Sequence, residues 1–457
     1  MNNEWSGKDV LVLGLGDTGL SCVRWLARRG ARVRAADTRE APPALRAVRL
    51  EHPGVAIALG AFDPTLVEGV DALVASPGVA LREPVVRAAV ARGVEVVGDV
   101  EIFAREVRRH GKVRVLGVTG TNGKSTVAAL ANAMCLAAGR RSAAVGNIGT
   151  PVLDALEAPG AERIDTFVVE LSSYQLETTS SLELDAASVL NVTQDHLDRY
   201  DSMAEYAAAK QRIFRHCRTR VVNREDPLTL AMARGHDAVF TFGLDVPSGD
   251  AEWGLDAARA ALLRGAHALV RVEEMRMQGL HNAANALAAH ALCSAIDVSA
   301  AAMSAAMREF KGLPHRVELV AEAKGVRFFD DSKGTNVGAS VAALEGFTAP
   351  VVLIAGGDGK GQDFSPLARA VKGHARAVVT IGRDGPLIAA ALVRSGVALV
   401  RATTLEEAVE VAFGLAHRGD AVLLSPACAS FDMFRNYGHR GEVFAAAARA
   451  LAAREGR

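Results

Sequence analysis

The 457-residue chain carries no excess of either charge, with 52 Lys and Arg against 52 Asp and Glu. Without a basic surplus, composition points to neither a nucleic-acid nor a membrane-surface partner. Cys-x-x-Cys pairs are missing, and the five cysteines (Cys22, Cys135, Cys217, Cys293, Cys428) are scattered. That argues against a disulfide framework and reads as reduced core thiols in a reducing compartment. No apolar run approaches the length of a bilayer span. The start MNNEWSGKDV lacks the basic residues and apolar stretch of a secretory leader. Low-complexity segments and internal repeats are lacking too, and the expectation is a cytoplasmic protein. What is present, 50% hydrophobic and 23% charged residues, fits a globular protein. A chain of this length exceeds one ordinary core, so two to three domains are expected.

The most informative stretch is VRVLGVTGTNGKST, residues 113–126. An apolar run (Val113, Val115, Leu116, Val118) predicts a buried strand. Small residues follow (Thr119, Gly120, Thr121, Asn122, Gly123), then Lys124, Ser125 and Thr126, and a helix predicted over 125–138. Strand, glycine turn, Lys-Ser and helix make up a phosphate-binding loop. Glycines let backbone N–H groups converge on phosphate oxygens, and the helix N-terminus adds a favourable dipole. Lys124 can reach the outer phosphates and the Ser125 hydroxyl can hold Mg²⁺. One departure is visible: the usual first glycine falls at Val118, with glycines at 117 and 120 instead.

Upstream, DVLVL (9–13) predicts a strand and GLGDTG opens a helix over 20–29; a second strand over 32–36 ends at Asp37. Gly-x-Gly-x-x-Gly with an acid about twenty residues on suits a dinucleotide. The motif alone licenses only a diphosphate at a helix N-terminus and an acid facing a sugar or base, which UDP-sugars satisfy as well as NAD. Further strands are expected at 71–75 and 94–97, with Ser76-Pro77-Gly78 just past a strand end, where open α/β sheets bind ligands. This unit should end near Arg108.

Downstream of the phosphate loop comes Gly146-Asn147-Ile148-Gly149, then a strand over 166–169 that ends in Glu170. An acid at a strand end beside a phosphate loop is where a nucleotide-bound Mg²⁺ finds a carboxylate. A strand over 187–191 runs into the polar stretch 192–198, which contains His196. Ser202-x-x-Glu205 reads as a capping box starting a helix through Phe214, on which Tyr206 and Lys210 share a face at i, i+4. A lysine on such a helix is ordinarily a solvated surface charge. After a strand over 219–223, residues 277–293 predict a helix; His281, Asn282 and Asn285 in its first turn could contact a nucleotide or serve as caps. A domain boundary is expected near 311–314.

The last third alternates strands with polar, glycine-rich loops. A strand over 326–329 precedes DDSKGTN, one over 351–355 precedes GGDGK, one over 377–381 precedes Gly382, and one over 421–424 precedes SPACAS. Such loops form the ligand face of a doubly wound domain. Lys333, Thr335, Lys360 and Ser430 suit a small anionic substrate.

Taken together, TGTNGKST, GNIG, ELSSYQLE, NVTQDHLDRY, YAAAKQRIF, HNAANALAA, GLPHR, DDSKGTN, GGDGK and SPACASFD occur in the order seen in the Mur ligases. The resemblance runs from the first glycine turn to about Gly441. It implies a three-domain α/β fold: a Rossmann-like UDP-substrate domain (1–108), a central P-loop ATPase-like domain (109–313) and a Rossmann-like glutamate-binding domain (314–457). The implied activity is ATP-dependent amide synthesis for peptidoglycan precursors. The GGDGK and SPACAS loops favour the branch joining D-glutamate to UDP-N-acetylmuramoyl-L-alanine (UDP-MurNAc-L-Ala), and the Asp-Asn-Pro-Arg motif of the diaminopimelate adder is not found. The alternatives are another amino-acid adder, one using L-glutamate, or a folylpolyglutamate synthase-like enzyme. A dehydrogenase reading leaves the phosphate loop unexplained, and a regulatory P-loop NTPase or binding module would hydrolyse ATP without glutamate, whereas a ligase should need both acceptor and amino acid.

The resemblance also implies site residues. Asp17, Thr18, Asp37, Thr38, Arg39 and Ser76 match UDP contacts. Asn147 and His196 match positions near the muramoyl-peptide end, His196 also near a second metal. Gly120, Thr121, Asn122, Gly123, Lys124, Ser125 and Thr126 match the ATP phosphate loop, and Asn282, Asn285, Arg316, Asp331 and Lys333 further ATP contacts. Ser125, Glu170, His196 and Lys210 match metal positions for Mg²⁺, two ions being expected. Lys210 matches a lysine that reacts with CO₂ to form a carbamate, an anion able to ligate Mg²⁺. Lys124, His196, Lys210 and Arg316 are the implied catalytic set. Thr335, Lys360, Ser430 and Tyr437 match glutamate contacts; the family commonly has Phe where Tyr437 stands. A monomer with no nucleic-acid or membrane partner is expected.

Overall fold

The computed structural model describes residues 3–109, 113–196, 199–277 and 279–456. Leu197 and Asp198 of the polar stretch, and Gln278 at the head of the expected helix, lie outside the described residues. Three sheets follow one another along the chain, each with helices on its faces, the mixed α/β architecture expected.

The first sheet is wholly parallel. It comprises β1 (Asp9–Leu13), β2 (Arg32–Asp37), β3 (Ala56–Leu59), β4 (Ala72–Ala75) and β5 (Glu95–Val97) in the order β3-β2-β1-β4-β5. The order reverses between β1 and β4, so the glycine turn after β1 and the Ser76 turn after β4 face each other across a crevice. The first helix, Asp17–Arg28, begins three residues earlier than expected, because Gly16 serves as N-cap and Asp17 enters the first turn, where an acid complements the helix dipole. At Gly14 (φ +89°) a Cβ would lie 3.0 Å from that of Ser76, so the close approach of the two turns needs glycine there.

The central sheet has β6 (Arg114–Thr119), β7 (Ser142–Gly146), β8 (Thr166–Glu170), β9 (Leu184–Val189), β10 (Cys217–Asn223), β11 (Val239–Phe242), β12 (Glu252–Leu255), β13 (Ala261–Arg264) and β14 (His267–Arg271). Their order is β14-β13-β12-β11-β10-β9-β6-β8-β7, parallel from β7 to β12 and antiparallel at β13 and β14. The four strands from β11 to β14 lie in a segment for which sequence periodicity predicted none. β6 and β9 occupy the buried centre. The helix Lys124–Ala137 packs on the helices Leu280–Ser294 and Ala300–Glu309, and the three share one core, with Leu130 and Met134 from the first, Leu287 and Leu292 from the second and Met303 and Met307 from the third. The helix Asp99–Arg109 ties the first sheet to the second. Phe103 meets Phe167 of β8 edge-to-face at 5.3 Å, and Glu101 Oε2 accepts the Ser180 and Ser181 N–H groups at 2.7 and 2.9 Å.

The third sheet joins β15 (Glu318–Ala323), β16 (Val326–Asp330), β17 (Val351–Gly356), β18 (Ala375–Ile381), β19 (Ala398–Arg401) and β20 (Ala421–Leu424) in the order β15-β16-β20-β17-β18-β19. Only β15 is antiparallel. The edge strands β15 and β19 were missed from sequence, whereas the fully buried β17 and β20 were legible. Among the described residues no helix is long and apolar enough to cross a membrane, and the five cysteines are buried and unpaired.

Candidate active site

The phosphate loop leaves β6 at Thr119. Its turn glycines are Gly120 (φ +152°) and Gly123 (φ +86°), while Gly117 stays inside β6, which accounts for the shifted glycine spacing. At Gly123 a Cβ would collide with Asn285 Oδ1, so this glycine brings the loop against the helix Leu280–Ser294. Asn191, two residues past β9, holds the loop from behind: its Oδ1 accepts the Asn122 N–H at 2.8 Å and its Nδ2 donates to the Asn122 carbonyl at 3.1 Å. Lys124 Nζ folds back on the carbonyls of Gly120 (2.9 Å) and Thr121 (2.8 Å). Burial lowers its pKa, while Glu170 and Asp195 pull the other way.

Lys210 is not the solvated charge that its helix position suggests. It is 1% exposed, donates to the Gly120 carbonyl at 2.8 Å and lies 4.4 Å from the Tyr206 ring centre. Burial, then the neighbouring Lys124, lower its pKa well below the usual lysine value. The helix is Met203–Gln211, followed by a single 3₁₀ turn through Phe214. Its capping box is only half formed: Ser202 Oγ accepts the Glu205 N–H, but the Glu205 carboxylate takes the Asp201 N–H instead of that of Ser202. A helix starting at Met203 carries Lys210 in its last turn, beside the loop.

Glu170, at the C-terminal end of β8, receives Asn147 Nδ2 on Oε1 at 2.9 Å. Its Oε2 is buried and has no partner among the described residues. A buried carboxylate oxygen with nothing to accept is a position for a cation. With the Ser125 hydroxyl in the first turn of the helix that packs on β8, the donor set is oxygen-rich and suits Mg²⁺. His196 has a left-handed backbone (φ +57°), and its Nδ1 lies 2.7 Å from the Tyr174 hydroxyl. Burial lowers its pKa, Asp195 opposes this, and Lys360, Lys124 and Lys210 add to it.

The third domain reaches the phosphate loop directly. Lys333 Nζ donates to Ser125 Oγ at 3.0 Å. Asn336 Nδ2 donates to Asn122 Oδ1 and Asp195 Oδ2, both at 3.1 Å, and Asn336 Oδ1 accepts from Asn122 Nδ2 at 3.3 Å. Between the loop and this domain lies a cavity of about 260 Å³, lined among others by Gly123, Thr126, Asn282, Asn285, Arg316 and Asp331. Asn282 and Asn285 are therefore wall residues and not caps; the N-cap is Gly279, without a side-chain cap. Arg316 Nε is buried with no partner among the described residues. Burial pushes the Asp331 carboxyl up to about 7 and, with Arg316 adding to it, brings Lys333 down to about 8.

The other expected contacts form two groups. Asp17, Thr18, Asp37, Thr38, Arg39, Ser76 and Asn147 all line one cleft on the first sheet, of about 560 Å³. His196 is not among its lining residues. Asp37 is already engaged, accepting the Leu15 N–H at 2.6 Å and both arms of Arg39 (2.8 and 2.7 Å). Chiefly that Arg39 contact brings its pKa down to about 2. On the third domain the three loops expected to hold glutamate are stitched together. Asp358 and Ala429 exchange backbone hydrogen bonds at 2.9 and 2.8 Å, and Ala427 N–H reaches the Gly334 carbonyl at 3.0 Å. This places the loops of Thr335, Lys360 and Ser430 side by side. The Tyr437 ring is half-exposed and lies 5.4 Å from Lys333 Nζ. Asn191, Asp195, Tyr174 and Asn336 were given no role from sequence. Each sits in a polar stretch just past a strand end, the one signal that could have marked them.

Comparison with known proteins extends the geometry. Three family models match in chain order: the Mur ligase MurD-like N-terminal domain over residues 8–98, the Mur ligase middle domain over 118–293 and the Mur ligase glutamate ligase domain over 315–428. The UDP-N-acetylmuramoylalanine–D-glutamate ligase of Methylobacillus flagellatus is 56% identical, with 98% of each chain aligned. The protein of the same name from Thiobacillus denitrificans is 54% identical, again over 98% of each. Among solved structures, UDP-N-acetylmuramate-alanine ligase MurC from Thermotoga maritima superposes with a TM-score of 0.61 at 20% identity, covering 97% of this chain and all of that one. MurF from Acinetobacter baumannii also gives 0.61, at 16% identity, over 98% of this chain and 92% of that one. At such identities the structural likeness speaks for the fold alone.

Proposed function

The chain belongs to the Mur ligase family, and from that premise we propose that it joins D-glutamate to UDP-MurNAc-L-Ala, converting ATP to ADP and phosphate. One observation carries the reading. Asn147 lines the first-domain cleft and at the same time donates to Glu170 beside the phosphate loop. A nucleotide substrate lying in the cleft thus has its far end at the position where a terminal phosphate would arrive.

A carboxylate is a poor electrophile because its leaving group would be oxide. Phosphorylation of the L-alanine carboxylate gives an acyl phosphate; the amine of D-glutamate attacks the carbonyl carbon, and phosphate leaves from the tetrahedral intermediate. Phosphoryl transfer relies mainly on positioning and charge neutralisation. The backbone of Gly120 to Thr126 cradles the phosphates, Lys124, Arg316 and Lys333 bring positive charge from two domains, and Asn282, Asn285 and Asp331 wall the nucleotide cavity. Lys124 must exchange its two carbonyl partners for phosphate oxygens, and Lys333 must release the Ser125 hydroxyl. Ser125 and Glu170 would hold one Mg²⁺ ion, and His196 with carbamylated Lys210 a second. When bound, Mg²⁺ supplies charge neutralisation at the phosphate oxygens. Burial lowers the Lys210 pKa and so favours the neutral amine, the form that is nucleophilic towards CO₂, which supports the carbamate at Lys210. Asp17, Thr18, Thr38, Arg39 and Ser76 face the UDP moiety, with Asp37 holding Arg39 in place. Thr335, Lys360, Ser430 and Tyr437 face the incoming glutamate.

We place the domain joints at 108/109 and 313/314, and read the protein as a cytoplasmic monomer. Incubation with UDP-MurNAc-L-Ala and MgATP should release ADP and add one glutamyl residue to the nucleotide with D-glutamate, but not with L-glutamate or diaminopimelate. ADP release that does not depend on the amino acid would refute the assignment.

A further inference from the structure

We infer that Tyr174 is a positioning residue for His196: its phenol oxygen accepts the Nδ1–H of the imidazole and thereby presents an unprotonated Nε2. The inference rests on the reading of His196 as a metal ligand. A neutral imidazole carries a single N–H, and the hydrogen bond made by one ring nitrogen decides what the other can do. The Tyr174 hydroxyl is 2.7 Å from Nδ1, within a normal hydrogen bond. Nε2 has no such partner among the described residues, since Asp195 Oδ2 stands 3.7 Å away and is itself engaged by Asn336. The ring is walled edge-on by Tyr174 at 5.0 Å and Tyr206 at 6.0 Å. Its left-handed backbone is held by the Asp195 carboxylate, which accepts the His196 N–H at 2.9 Å.

Tyr174 is fixed in turn. The Arg199 guanidinium stacks over its ring at 4.6 Å, and the same group donates to Glu177 Oε2 at 2.6 Å and to the Val79 carbonyl at 3.3 Å. Val79 lines the first-domain cleft. A continuous line of contacts therefore runs from the rim of that cleft through Arg199 and Tyr174 to His196. Occupancy of the cleft by a nucleotide anchors one end of the line and the imidazole lies at the other, so Arg199 links the substrate domain to the orientation of His196.

The test is nitrogen NMR of the full chain labelled with ¹⁵N-histidine, with the His196 signal assigned through His196→Gln. The wild-type ring should be the Nδ1–H tautomer without any metal present. Tyr174→Phe, which deletes only the hydroxyl, should shift the ring to a mixture of tautomers and weaken Mg²⁺ binding, read from the same signals, by about 10–100-fold. Arg199→Lys should give an intermediate shift. A wild-type ring protonated at Nε2, or a tautomer unmoved by Tyr174→Phe, would overturn the inference. The wild-type spectrum decides the first point even if a variant folds poorly. If the wild-type ring is Nδ1–H but Mg²⁺ leaves its signals unchanged, the metal role of His196 fails while the positioning by Tyr174 stands.

Discussion

Asp331→Asn should make the nucleotide-free protein more stable at neutral pH while impairing the enzyme. Asp331 is buried, accepts Ser425 Oγ at 2.7 Å, and has its carboxyl pushed by burial from 3.8 up to about 7. An acid with a raised folded pKa binds its proton more tightly in the folded state. Between the two pKa values the unfolded chain therefore holds fewer protons than the folded one, and stability falls as pH rises. Roughly three pH units at about 1.36 kcal/mol each come to a loss of up to about 4 kcal/mol by about pH 8. Asparagine keeps an acceptor for Ser425 and never ionises. The variant should exceed wild type by up to that amount at about pH 8, or about 10 °C in the melting of the third domain. The gap should narrow towards about pH 5. Thermal unfolding without nucleotide at several pH values is the assay. A variant no more stable than wild type at high pH, or an advantage that does not vary with pH, would refute the reasoning. Because Asp331 also lines the nucleotide cavity, ligase turnover should fall in the same variant, a trade of stability against function.

Lys124→Ala should fold and still lose about 10²–10³-fold in rate, the usual effect of removing one preorganised charge donor, as read by steady-state ADP release; full activity would remove Lys124 from the mechanism. Lys210→Ala should be inactive and partly restored by a short-chain carboxylic acid standing in for the carbamate; no restoration at any concentration would count against that role. Asn336→Ala deletes the contacts to Asn122 and Asp195 and also the cap on the Ala339 N–H. Losing them should open the third domain away from the phosphate loop, visible as a larger radius of gyration in solution scattering, with nucleotide and substrate drawing it back. Identical scattering for wild type and variant would show that these bonds do not hold the domains together.

The phosphate loop was legible because its parts are contiguous: the strand, two turn glycines, Lys124 and Ser125 fall within a dozen or so residues, and local physics fixes their arrangement. Buried parallel strands such as Val351–Gly356 were legible for a similar reason, being apolar throughout. Half-exposed strands were not: β13, β14, β15 and β19 mix polar and apolar residues with little contrast between faces. The burial of Lys210 was also invisible, since its helix position says nothing of the loop packed over it. Nor could sequence alone join Asn336 to Asn122 across 214 residues. That pair depends on how two separately folded domains meet. Resemblance to the family supplied the proposed roles of His196 and Lys210, where residue type and spacing allowed only a turn histidine and a surface lysine; Glu170 was legible from its place at a strand end beside the phosphate loop.

The central claim is that the phosphate loop activates the carboxylate delivered from the first domain. It is tested most directly with UDP-MurNAc-L-Ala labelled with ¹⁸O in both oxygens of the alanine carboxylate. After turnover with MgATP and D-glutamate, the released phosphate should carry one labelled oxygen and the new amide should keep the other. Phosphate free of label would mean that the carboxylate is never phosphorylated, and would contradict the account.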